Sequence, residues 1–102
     1  MISKDDFILE VFKVEKIMIH IYSDNNVFLE PYGYTKMMPN GKNTVKDLKL
    51  KRLNDYLKDI DYSIIHTSPL DVFPECYKLI DVREATHYHL LKGDKKCQKS
   101  MY

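Results

Sequence analysis

Two hydrophobic periods alternate along the chain. In residues 4–16, Phe7, Ile8, Val11 and Phe12 recur at helical spacing and Val14 extends their face. Ser3 can cap this segment, with Asp6 three residues later in the manner of a capping box. A helix is predicted; a strand competes, because β-branched and aromatic side chains are dense there. Ile17, Ile19 and Ile21 then alternate with Met18, His20 and Tyr22, the period of a strand. Asp24, Asn25 and Asn26 supply turn chemistry, and 27–34 reads as the returning strand of a hairpin. Pro31 cannot donate to a ladder, so that strand is expected at an edge, bulged or cut short. Residues 36–43 are loop, with the clearest turn signal at 37–41. A second helix is predicted over 45–59, capped by Asn43 or Thr44, with an apolar stripe of Val45, Leu48, Leu53, Tyr56, Leu57 and Ile60. Residues 62–67 read as a strand, 68–71 as a turn with Pro69 in its second position, and 72–80 as a return interrupted by Pro74. The end of the chain has two readings. Asp81 can cap a helix through Leu91 that Gly93 ends, yet Thr86, Tyr88 and Leu90 also alternate like a strand. Residues 92–102, with four lysines, read as a fraying tail.

This succession carries an echo. SDNNVFLEPY, at 23–32, returns 45 positions later as SPLDVFPECY, at 68–77, with five identities. Ile19 and His20 recur, one residue out of step, as Ile65 and His66. The expected architecture is an α+β fold. Two related units of helix plus antiparallel β-hairpin, about 4–43 and 44–91, would pack as one domain over 1–102 with an approximate internal two-fold. A unit of about 45 residues is marginal alone, so each half must cover its apolar face with the other. The order of elements does not fix where one unit ends and the next begins.

Composition narrows the class. Hydrophobic residues make up 44% and charged residues 30%, as in a globular chain. Sixteen basic and fifteen acidic side chains leave a net charge of +1, which gives no general attraction to a polyanion. No apolar run reaches the length of a membrane span, so no membrane partner is expected. The first ten residues lack the layout of a secretion signal, and an intracellular location follows by default. One Ala, one Gln and no Trp beside eight Tyr suggest a codon bias rather than a function. Cys76 and Cys97 are too few for a disulfide framework.

On a strand Phe28, Glu30, Tyr32 and Tyr34 point to one side, and Phe73, Glu75 and Tyr77 do the same in the second copy. Each half would then present a carboxylate between rings, a face suited to a peptide. A groove between the units, or an unpaired edge beside a proline, would admit it as an added strand. The structural alternative puts Phe in the core, Tyr at the rim and Glu against a helix lysine. Catalysis finds no footing. Asp24, Glu30, Asp71 and Glu75 lack compact metal-nuclease spacing, and Ser68 and Cys76 near His66 have no Gly-rich elbow. Three glycines make no phosphate cradle, so neither an enzyme nor a cofactor is expected. His87 and His89 could share a metal if strand-borne, completed by Cys76, His66 or His20, but the spacing is common and no metal site is assigned. The second functional reading is a nucleic-acid-binding accessory protein using Lys42, Lys46, Lys49, Lys51, Arg52 and the lysine tail; interspersed Asp argues instead for a solvated face.

The paired segments SDNNVFLEPY and SPLDVFPECY, with the chain length, resemble the small orphan proteins of Acidianus filamentous viruses. The resemblance covers the whole chain and transfers no catalytic or binding residue. It implies an orphan viral accessory protein with an internally duplicated α+β fold and no established activity, made in the cytoplasm of a hyperthermophilic archaeal host; joined to the groove reading, the expected partner is a viral or host protein or peptide. It would also permit a Cys76–Cys97 disulfide, since such hosts tolerate them. The lysine-rich charged surface suits hot growth.

Overall fold

The first helix, α1 (Lys4–Glu15), starts where the sequence predicts. The Ser3 side chain accepts from the Asp6 amide at 3.1 Å, and Asp5 and Asp6 suit the positive end of the helix. It ends at Lys16, whose left-handed backbone (φ 60°) turns the amide back to the Phe12 carbonyl at 2.9 Å. Phe7, Val11 and Glu15, four residues apart, form its buried line. In the computed structural model, residues 1–24 and 26–92 are described, except for the side chains of 87–92.

A short strand, β1 (Ile2–Ser3), precedes α1, and β2 (Met18–Ile21) follows it. Next come β3 (Phe28–Leu29), α2 (Val45–Leu48), a π turn (Lys49–Leu53), α3 (Asn54–Tyr56), β4 (Tyr62–Ile65) and α4 (Leu79–Lys92). Among the described residues the fold is α+β, with helices beside two small antiparallel sheets. β2 pairs with β4, Ile19 opposite Ile64, and β1 pairs with β3, Ser3 opposite Phe28.

The first predicted hairpin is therefore not formed. β2 gives its ladder to β4, and the segment after the turn pairs with the N-terminus instead. Past Pro31 the amides find side chains: Tyr32 N donates to Glu10 Oε1 at 2.8 Å and Gly33 N to the Tyr56 hydroxyl at 2.9 Å. A ladder is replaced by individual acceptors, which meets the same need for partners. The second return is also shorter than predicted. After a single bridge, Ile65 to Val72, the chain lies across the start of α2. There the Tyr77 and Glu75 carbonyls accept from the Val45 and Lys46 amides at 2.9 and 3.1 Å. These amides belong to the first turn, which has no partners within the helix.

The two echoing segments therefore differ in their pairing. Ile19 and Ile64, which face each other, are 45 positions apart, the offset of the echo. Beyond the strands the partners differ: Phe28 meets Ser3, whereas Phe73 N returns to Ile64 O at 2.9 Å. Thr44 caps α2 through a reciprocal bond with Asp47. Among the described residues the last element is a helix, starting two residues before Asp81, so the strand alternative for 86–91 is set aside. The core gathers Phe7, Val11, Ile17, Ile19, Ile21, Leu48, Leu53, Ile64, Leu79 and Val82.

Candidate binding site

Glu15 continues the apolar line of α1 yet is fully buried. A carboxylate there must be paired and hydrogen-bonded. Its Oε1 accepts from the Met38 amide at 2.9 Å and from Arg83 Nη2 at 2.9 Å. Its Oε2 accepts from the Tyr32 hydroxyl at 2.7 Å and from Arg52 Nη1. Arg83 also donates from Nε to the Glu15 carbonyl and from Nη1 to Met38 O and Asn40 Oδ1. One guanidinium therefore ties α4 to the end of α1 and to the 38–40 loop. Arg52 adds a bond to Lys36 O and stacks over Tyr34, 4.1 Å from the ring centre.

The two arginines respond differently to the carboxylate they share. Burial works against the charge of Arg52, but the bond to Glu15 outweighs it and holds its pKa above the usual value. Deeper burial wins at Arg83 and lowers it, despite Glu15. Burial, reinforced by Glu15, pushes the Tyr32 phenol well above its ordinary 10.0. Tyr32, Tyr34, Tyr56 and Phe7 pack beside this centre with rings 5.3–6.4 Å apart.

Against the Arg83 side of this centre lies a cavity of about 410 Å³. Phe12 and Lys16 of the α1 end, Met37 and Asn40 of the loop, and Ile80, Arg83, Glu84 and Thr86 of α4 line it. The volume falls in the range of ligand pockets. Met37 and Ile80 are 41% and 39% exposed, so apolar surface faces outward at its mouth.

None of the seven residues chosen from the sequence lines this cavity. Tyr32 is buried in the Glu15 centre and Tyr34 lies against Arg52. Phe28 and Glu30 are exposed; Phe73 and Tyr77 stack 5.5 Å apart, and Phe73 also meets His66. Among the described residues no ring contact joins the Tyr32 group to the Phe73 group, so the two faces do not meet as one strip. Glu75 bonds Lys49 at 2.9 Å, which lowers its pKa. The basic stretch is divided: Lys49 is paired and Arg52 turned inward, while Lys42, Lys46 and Lys51 are exposed.

The sequence reading missed Glu15 and Arg83. The spacing 7, 11, 15 was the available signal for Glu15, because it places a carboxylate on the core line of a helix. Among the described residues no group of three His, Cys, Asp or Glu is placed to hold a metal. The His87 and His89 side chains lie outside the described residues, as does Cys97; Cys76 is an exposed free thiol. No helix among the described residues is long and apolar enough to cross a membrane. Comparison with protein-family models, curated proteins and solved structures gives no match to this chain.

Proposed function

We propose that this chain is a non-enzymatic protein-binding module, an accessory protein of a hyperthermophilic archaeal virus, and that its partner docks in the Phe12–Ile80 cavity. The observation that carries this reading is an open apolar cavity set on a rigid frame. Met37 and Ile80 offer apolar surface, and the Glu15–Arg83 ties hold the loop and α4 in place. A preformed cavity loses little freedom when it is filled, so contact area converts efficiently into affinity. We read the 45-residue echo as a worn duplication, whose identities gather at 23–32 and 68–77.

The test is a peptide-library selection on the full chain, counter-selected on Ile80→Glu. Enriched sequences should carry an exposed aliphatic anchor and bind the wild type at least tenfold more tightly than the variant. Phe73→Ala with Tyr77→Ala should leave that affinity unchanged. Peptides that bind wild type and Ile80→Glu equally would remove the cavity from the account.

A further inference from the structure

The most exposed large apolar side chain among the described residues is Leu70, at 92%. It sits on an ordered turn, not a loose loop. Asp71 N donates to Ser68 O at 2.9 Å and Leu70 N to Ser68 Oγ at 3.1 Å. Below it, His66 N donates to Asp71 O and Phe73 N to Ile64 O, both at 2.9 Å. Val72, 48% exposed, widens the apolar tip, and Asp71 adds an exposed carboxylate. A turn fixed in this way presents a leucine anchor whose backbone has little freedom left to lose. Leu70 is nearly fully exposed, so it does not occupy the cavity of its own chain.

The cavity has the complementary chemistry. Phe12, Met37 and Ile80 supply apolar wall. Its charged lining groups are Lys16, Glu84 and Arg83. Arg83 is committed to Glu15, Met38 and Asn40, whereas Lys16 is exposed and has no ion pair among the described residues. An aliphatic tip followed by a carboxylate fits with the carboxylate toward Lys16, and Glu84 repels the opposite placement.

We infer that the occupant of the cavity is the 68–72 turn of a second copy of this chain, Leu70 entering between Met37 and Ile80 with Asp71 facing Lys16. This rests on the reading of the cavity as a protein-docking site and names the partner. Turn and cavity are separate surfaces on each copy, so the contact either is reciprocal and closes a two-fold dimer, or repeats head to tail as a larger ring or an open chain.

The test uses sedimentation velocity on the full chain, from about 1 μM to about 1 mM. Wild-type mass should rise with concentration, and less so in high salt, because the Asp71–Lys16 attraction is screened. Leu70→Ser and Ile80→Glu should each weaken association by roughly tenfold or more, the scale for losing one buried leucine contact. Mixed together, they should form a 1:1 complex and nothing larger, because one intact turn and one intact cavity remain. Circular dichroism controls the fold of both variants. A wild type that stays monomeric to the highest concentration, or a mixture that forms no complex, overturns the inference. If library peptides still fill the cavity of a monomeric wild type, self-docking fails alone; if they do not, the docking reading fails with it.

Discussion

Glu15→Gln tests the frame most sharply. The carboxylate is fully buried and accepts four bonds, from Tyr32, Arg52, Arg83 and the Met38 amide. Gln keeps the shape but only one acceptor oxygen. If that oxygen takes the Oε1 place, the new NH₂ points at Arg52, donor against donor. Two guanidiniums, with side chains only 15% and 7% exposed, then lose their counter-charge. Removing one partner of a buried ion pair costs about 3–5 kcal/mol. A domain of this size holds about 5–15 kcal/mol in all. At about 4–8 °C for each kcal/mol, the melting midpoint should fall by roughly 12–40 °C. Guanidinium unfolding followed by circular dichroism measures the loss, since the chain has no Trp. Glu10→Gln is the control: among the described residues Glu10 accepts only the Tyr32 amide, and Gln can still do so, for a cost under about 1 kcal/mol. If Glu15→Gln also costs less than about 1 kcal/mol, the centre is not what fixes the loop and α4.

Three further outcomes follow from particular contacts. Stability should be level from neutral pH to about 10 and fall as pH rises past it, because Tyr32 and Tyr62 ionise near 10.0 when unfolded and resist doing so when folded. Tyr32→Phe should start less stable and fall less steeply, and an equal slope in pH-dependent unfolding would contradict the assignment. Thr44→Ala should cost about 1 kcal/mol in denaturant unfolding by removing the α2 capping box. Deleting the exposed Leu50 should turn the π turn into ordinary helix and keep stability within about 1 kcal/mol of wild type, whereas loss of folding would show that the insertion holds the register.

Local chemistry was the legible part of this chain. Ser3, the alternation at 17–21 and Thr44 act as the sequence implies, and the turn expected at 37–41 closes at 40–43, where Asn43 N donates to Asn40 O at 2.8 Å. Even the π turn left a trace. Leu48 and Leu53 are both buried but five apart, about 140° off on an α-helix, and one extra residue in the turn returns Leu53 to the core. Strand pairing was not legible, because β2 can satisfy its ladder with any extended neighbour and β4, 45 positions away, takes it. The candidate site was harder still. Glu30, Glu75 and their neighbouring rings look alike in sequence, but their surroundings differ: Tyr32 is pulled inward by Glu15 and Glu75 outward by Lys49. The cavity draws on three segments distant in sequence, and nothing local marks their meeting.

The docking claim is tested most directly by amide NMR of the labelled Leu70→Ser chain, which cannot self-dock, titrated with a cyclised peptide of residues 64–73. Saturating shifts confined to 12–16, 37–40 and 80–86 are expected, and they should vanish when Ile80→Glu is added. Shifts centred on 28–34 and 73–77, or no saturable change at all, would contradict it.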